Sequence, residues 1–448
     1  MTVNVFPAEQ LSLDSETLFR DPAFMRNREM PIHRWVPWIA GFSGQFVEDV
    51  FREFLRHRRS NKRPLVLDPF AGVGTTLVQS MLHSFDTVGF EINPYAALAA
   101  RTKLYAPATD LAFLDKAINS IKRAPATWSG NGAPVRLRPA AFRSRIPFFG
   151  RKVETQVLRL MELIHGIKDP TTADIVRIAL GAVMVSVSNY SYEPSLGTRI
   201  GAGKPLIEDA DVSAVLAAKL LDIRNDVAWL QERMPREGFT ARREIHCADF
   251  LSLDGQLEAG SVDVMVTSPP YMNNYHYVRN TRPQLFWLSL VTDSNDLRRL
   301  EETNFGKFWQ TVRDSAPIAL QCESRELRGV LSALRKVRSS EGAYGGPGWA
   351  NYVASYFNDC DRFLINLKRV IRRGGVGVVV IGNSIIQGME IKTDRVLGDL
   401  AVQKGFTLEG IIELRSKRVG TSIAGSSVRR GKRNGARLYE TAVILRKK

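Results

Sequence analysis

Thr267-Ser268-Pro269-Pro270-Tyr271 closes an apolar run, and far upstream Asp68-Pro69-Phe70-Ala71-Gly72-Val73-Gly74 closes another. In the first stretch Pro269 and Pro270 stiffen the turn and remove two backbone donors. What is left are acceptors, the Ser268 hydroxyl and the Pro269 carbonyl, with the flat face of Tyr271 beside them. Such a corner suits an aromatic amine, a poor nucleophile because its lone pair is delocalised into the ring. Accepting both N–H hydrogens localises that pair, and Tyr271 can stack on a base taken out of a duplex.

The second stretch is a turn for a nucleoside. Gly72 and Gly74 stand where side chains would block a ligand. Glu91, about twenty residues past the glycines, can accept both hydroxyls of a ribose. A dinucleotide fits less well, because Leu77 takes the place of the third glycine of G-x-G-x-x-G. A phosphate-binding loop is excluded, since no Gly-Lys-Ser/Thr follows. The carboxylates of Asp68 and Glu91 suit a nucleoside without phosphates, such as S-adenosylmethionine.

Both turns need strands to hold them. Leu65-Val66-Leu67 reads as a strand ending at Asp68, Thr75 to His83 as a helix, and Thr87 to Phe90 as a strand ending at Glu91. Asn93-Pro94 caps a further helix. Strand–helix–strand–helix with tight connections predicts a parallel sheet. The pattern resumes at Glu244–Cys247 and at Val262–Val266, then as a helix over 351–371, a strand over 376–381, a helix over 394–404, and β-rich stretches at 407–414 and 438–446. A helix over 44–58 carries Phe46, Val50, Phe51, Phe54 and Leu55 on one face. The expected fold is a doubly wound, mostly parallel α/β sheet of Rossmann-like type with a terminal β-hairpin and two largely helical insertions. Residues 1–105 form the cofactor half, 106–242 a helical insertion, and 243–448 the catalytic half, which holds the second insertion, 273–350.

The chain has 448 residues, 44% of them hydrophobic, and a net charge of +16. Its pI is near 9.9. This excess of cations favours a polyanionic partner. No apolar run is long enough to span a bilayer, and the first residues lack a secretory pattern. Cys247, Cys322 and Cys360 are too scattered for disulfides or zinc, and the His residues show no metal-ligand spacing. A cytoplasmic, metal-free, DNA-associated protein is expected.

The chain resembles the S-adenosylmethionine-dependent amino-methyltransferases of DNA. DPFAGVGTT resembles their cofactor loop, FEINP their second acidic motif and TSPPY their catalytic motif. The resemblance implies that Asp68, Phe70, Ala71, Gly72, Gly74 and Glu91 bind the cofactor, and that Asp249, in CADF, contacts its adenine. HRWVPWIAGFSGQF resembles the segment over the methionine moiety, which adds Phe42 and Ser43. Ser268, Pro269, Pro270 and Tyr271 would hold the flipped base. In this family Ser before Pro-Pro-Tyr usually implies cytosine N4, and Asp or Asn usually implies adenine N6. Cytosine C5 chemistry needs a nucleophilic Cys after Pro, and no Cys here follows a Pro. A separate restriction endonuclease is a family-level expectation. A subunit that binds DNA without turnover is the alternative of another class, against which the intact TSPPY and Glu91 argue.

Double-stranded DNA then needs a surface. Residues 415–437 carry eight Lys or Arg and no acid. Phosphate contact falls to Arg415, Lys417, Arg418, Arg429, Arg430, Lys432 and Arg433. The stretch 136–152 interleaves Arg with Phe142, Phe148 and Phe149, which suits either a strand-tracking surface or a core. The loop 193–205 and the segment 273–350, with Tyr275, His276, Tyr277, Arg279 and Arg282, are candidates for target reading. Gly345-Gly346-Pro347-Gly348 reads as a loop.

Overall fold

The computed structural model describes residues 19–20, 22–38, 41–56, 62–124, 138–192, 195–273, 275–418 and 437–448. Seven strands form one sheet: β1 (Leu65–Asp68), β2 (Asp86–Phe90), β3 (Arg243–His246), β4 (Val262–Thr267), β5 (Ile371–Gly382), β6 (Phe406–Arg418) and β7 (Arg437–Lys447). Their order is β6-β7-β5-β4-β1-β2-β3. β1 pairs in parallel with β2 and β4, β2 with β3, and β4 with β5. β7 runs antiparallel to β5 and β6. This is the expected Rossmann-like sheet with its terminal hairpin. The chain winds from β1 towards one edge and restarts at β4 on the other side. The switch point, where such sheets bind ligands, therefore lies beyond the carboxyl ends of β1 and β4.

Every residue of β1 and β4 is buried, as in a parallel strand covered on both faces. Alternate side chains supply two layers. Val66, Val264 and Val378 pack with Phe46, Val47 and Val50 of the helix Gly44–Leu55. Leu67, Met265 and Val379 pack with Phe357, Leu364 and Leu367 of the helix Gly346–Val370. That helix starts within the stretch expected to be a loop. Pro347 sits in its first turn, where a missing N–H is tolerated.

Residues 106–242 form the crossover from β2 to β3. Their helices Leu111–Lys122, Arg151–His165, Pro170–Val183 and Val212–Arg233 share an apolar cluster with Leu77, Val78 and Tyr95 of the cofactor half. The segment is thus part of the same packed body. Of the basic stretch 136–152, Phe148 and Phe149 are buried. Phe149 stands edge-on to Trp287 with ring centroids 4.8 Å apart, so this aromatic pair belongs to the core and offers no stacking surface. Among the described residues no helix is long and apolar enough to cross a membrane.

Asp226, buried on the helix Val212–Arg233, fixes the segment leading to the site. It accepts from the Ile32 amide (2.9 Å), the Trp35 indole (3.0 Å) and Arg34 Nη2 (2.6 Å). Ile32 has φ +65°, a conformation unfavourable for a β-branched residue, and the carboxylate holds it there. Asp226→Ala leaves the buried indole and amide donors without an acceptor, so a loss of about 3 kcal/mol is expected in chemical denaturation. A loss below about 0.5 kcal/mol, within the range of an ordinary surface substitution, would contradict the assignment.

Candidate active site

β1 and β4 end side by side, and their last residues are joined. Thr267 Oγ1 donates to Asp68 Oδ1 at 2.6 Å inside the sheet. From this joint the two turns diverge around a cavity of about 590 Å³, within the range of cofactor sites. Asp68, Phe70, Ala71, Gly72, Glu91, Asp249 and Phe42 line it together with Ser268, Pro270 and Tyr271.

The glycine turn is held open by contacts with its neighbours. Gly72 has φ +51°, and a Cβ there would lie 3.3 Å from Trp38 Nε1. The Gly72 amide donates to Glu91 Oε2 (2.9 Å), and the Asn93 amide donates to Oε1 of the same carboxylate (2.7 Å). Gly74 plays a different part from the expected one. It has φ +86°, a Cβ would meet Ala100 Cβ at 3.0 Å, and it does not line the cavity. It lets the helix Thr75–Leu82 pack close to the helix Pro94–Tyr105. Ser43 is also a structural residue: fully buried, it caps the helix Gly44–Leu55 by accepting from the Phe46 amide. Asp249 caps the short turn Phe250–Ser252 at the end of β3 and faces the cavity.

Burial sets the electrostatics. It pushes the Asp68 carboxyl up to about 6, against the opposing hydrogen bonds of Thr267, Thr76 and the Phe70 amide. It pushes Glu91 up to about 7, against the Asn93 and Gly72 amides, with the charge of Asp68 adding to the rise. Two neighbouring carboxyls whose charge is unfavourable when the cavity holds only the protein suit a cationic ligand. The residues therefore fit S-adenosylmethionine: paired acceptors at Glu91, a carboxylate at Asp249, apolar walls from Phe70, Phe90 and Phe250, and anionic character for a sulfonium and an ammonium.

On the catalytic side the turn is pinned from below. Tyr356 Oη donates to the Pro270 carbonyl at 3.0 Å, whereas the Pro269 carbonyl accepts no hydrogen bond from any described residue. Pro269 is buried and does not line the cavity. Ser268 Oγ donates to Tyr271 Oη at 3.4 Å, and burial holds the Tyr271 hydroxyl far above its ordinary value. The Tyr271 ring rests on the bare face of Gly382, where a Cβ would stand 3.4 Å away. Tyr275 and Tyr277 both reach the cavity, their rings 5.0 Å apart and nearly perpendicular. Arg415 also lines it, paired with Glu440 across the β6–β7 hairpin. The backbones of Lys417 and Arg418 continue β6. Arg429, Arg430, Lys432 and Arg433 lie outside the described residues.

Several site residues escaped the sequence reading. Trp38 closes over Gly72, and Phe305, from the segment 273–350, meets Phe70 edge-on at 5.0 Å. Lys103, fully buried, donates to the carbonyls of Val73 (3.0 Å) and His33 (3.3 Å). It ties the glycine turn to the Trp35 segment, and burial lowers its pKa to about 7. Its one sequence signal is a cation at helical spacing from Ala96, Ala99 and Ala100, on a buried face. Trp38 sits in the segment already singled out for Phe42.

No family model matches the chain. It is 22% identical over 442 residues to the type II methyltransferase M.BsoBI of Geobacillus stearothermophilus, covering 89% of this chain and 83% of that protein. It is 23% identical over 412 residues to M.AvaI of Anabaena variabilis, covering 88% and 82%. A stretch of 84 residues is 36% identical to M.MjaII of Methanocaldococcus jannaschii, covering 19% and 16%. The chain's relatives are type II methyltransferases. Among solved structures, the rRNA methyltransferase aviRa of Streptomyces viridochromogenes overlaps 92% of this chain and 87% of its own, at 11% identity and a TM-score of 0.29, too low to carry weight.

Raised carboxyl pKa values give a pH dependence with a definite sign. Between the ordinary carboxylate range and about 7, Glu91 binds more protons folded than unfolded, so its contribution to stability falls as pH rises through that window. A cation reverses the trend by favouring the ionised form. S-adenosylmethionine affinity, measured by calorimetry, should fall several-fold as pH drops from about 8 to about 5.5. Glu91→Gln should bind more weakly at high pH and lose most of that slope. A pH-independent affinity in the unaltered protein would contradict the assignment.

Proposed function

We propose that the protein is a DNA methyltransferase that moves a methyl group from S-adenosylmethionine to the N4 amine of cytosine. One observation carries the reading: the glycine turn and the serine-proline turn line one cavity and are joined by the Asp68–Thr267 hydrogen bond. The similarity to type II methyltransferases, which covers 88–89% of the chain, supports it. Ser268 favours cytosine over adenine N6, by the resemblance of TSPPY to the cytosine-N4 type.

S-adenosylmethionine, when bound, supplies an electrophilic methyl group. Glu91 would hold its ribose hydroxyls, Asp249 its adenine, and Asp68 its cationic end. Ser268 Oγ, which lines the cavity, would accept an N–H hydrogen of the target amine and draw its lone pair out of conjugation; the Pro269 carbonyl, the second acceptor expected from the sequence, is buried outside that lining. The nitrogen would take the methyl group as the methyl–sulfur bond breaks, leaving a neutral thioether, and would release one proton to solvent. The Tyr271, Tyr275 and Tyr277 rings give an extrahelical base flat faces to replace its stacking. Phe70 and Phe305 keep water from the reacting pair. The basic segment 415–437 would follow the DNA phosphates, and a separate endonuclease is the partner this reading implies.

The test is mass spectrometry of nucleosides from unmethylated plasmid DNA treated with the protein and methyl-labelled cofactor. Labelled 4-methylcytosine is expected, 6-methyladenine would overturn the choice of base, and no labelled nucleoside would overturn the activity. Ser268→Ala should lower turnover about tenfold or more while calorimetric cofactor affinity holds. An unchanged rate would remove Ser268 from the mechanism.

A further inference from the structure

Among the described residues the β6–β7 hairpin carries three cross-strand Arg–Glu pairs, and one of them differs from the others. Arg437–Glu413 and Arg446–Glu409 lie on the surface, with side-chain exposures of 51% and 46%, and 39% and 31%. Such pairs contribute little to stability. Arg415–Glu440 is more enclosed, at 33% and 20%, and both partners line the cavity. The two residues oppose each other in the antiparallel register, next to an irregularity between Glu413 and Arg415. Breaks of this kind re-aim the side chains that follow them. Both charges act on the Tyr271 hydroxyl, which lies 3.4 Å from Ser268 Oγ. The pair therefore stands beside the corner that takes the amine.

An aminopyrimidine needs more than acceptors for its amine. Along the same edge as N4 cytosine presents two adjacent acceptors, N3 and O2. Adenine presents one acceptor, N1, followed by a C–H. A guanidinium carries donors only, in a planar fork that matches two adjacent acceptors. Glu440 accepts from Arg415 Nε, which fixes the plane of that fork.

We infer that Arg415 reads the N3/O2 edge of the flipped cytosine, and that Glu440 positions it. The inference rests on the cytosine-N4 reading above and reassigns Arg415 from phosphate contact to choice of base. Arg415 and Ser268 then grip one edge of one ring, with an acceptor at the amine and donors beyond it. Adenine in the same place would leave one guanidinium donor facing a C–H, the kind of mismatch that polar sites reject strongly.

The test begins with the site mapped on plasmid DNA for the unaltered protein. It then uses duplex oligonucleotides carrying that site with cytosine, 3-deazacytosine or adenine at the target position. The unaltered protein should lose about tenfold or more in kcat/KM on 3-deazacytosine, which lacks the N3 acceptor. Arg415→Met should lose a similar factor on cytosine and lose little more on 3-deazacytosine, because the two changes remove the same contact. Its preference for cytosine over adenine should narrow, and the salt dependence of its DNA affinity should be unchanged. Glu440→Gln, which keeps an acceptor, should retain the discrimination that Glu440→Ala loses. Thermal melting and cofactor calorimetry on each variant separate these effects from misfolding. Additive losses from Arg415→Met and 3-deazacytosine, or a salt slope reduced by about one, would overturn the inference and return Arg415 to the phosphates. 6-Methyladenine from the unaltered protein would instead overturn the cytosine reading on which the inference stands.

Discussion

The site depends on a hydrogen bond between two residues far apart in the chain. Thr267 and Asp68 end adjacent parallel strands, and the 2.6 Å contact between them closes the seam from which both functional turns depart. Parallel pairing of Val66 with Val264 and of Leu67 with Met265 sets the register. A slip of one residue would turn every alternating side chain to the wrong layer. The apolar sheet thus places the polar turns, and the placement follows from packing valines and leucines between two layers of helices.

Around this seam the molecule holds charge where burial disfavours it. Burial raises both Asp68 and Glu91, with the charge of Asp68 adding to the rise of Glu91, and Lys103 is buried against two backbone carbonyls on the far side of the same turn. The amides of Gly72 and Asn93 keep Glu91 aimed before any ligand arrives. A cation entering the cavity would relieve the carboxyl strain without rearranging the turn. That is how a preformed site lowers the ordering cost of binding. The same economy governs the opposite wall, where Tyr356 takes the Pro270 carbonyl and leaves the corner rigid.

The local motifs were legible because each is contiguous and sits at a strand tip. Asp68 to Gly72, Glu91, Asp249, and Ser268 to Tyr271 can be read from apolar runs ending in turn chemistry. The doubly wound sheet follows from the alternation of those runs with helices. Long-range packing was not legible. Trp38 over Gly72, Phe305 on Phe70, Tyr356 beneath Pro270 and Asp226 under Ile32 all join residues from distant segments, and no local pattern announces them. Local patterns also misled where two physical uses share one signature. Gly74 looks like a ligand-facing glycine but yields space to Ala100, and Ser43 looks like a cofactor contact but caps a helix. The Phe pair at 148–149, flanked by arginines, fits a nucleic-acid surface as well as a core until Trp287 is seen against it.

The central claim is that the two turns work as one unit through the joint between their strands. Thr267→Val, which keeps the shape of the β-branched side chain and removes its hydroxyl, addresses that joint directly. Calorimetric affinity for S-adenosylmethionine and turnover on DNA should be measured on the same preparation, once melting shows the fold intact. The account predicts that both fall together, because Asp68 loses its strand partner and both turns lose their common anchor. Unchanged values for both, in a protein that melts like the unaltered one, would contradict it.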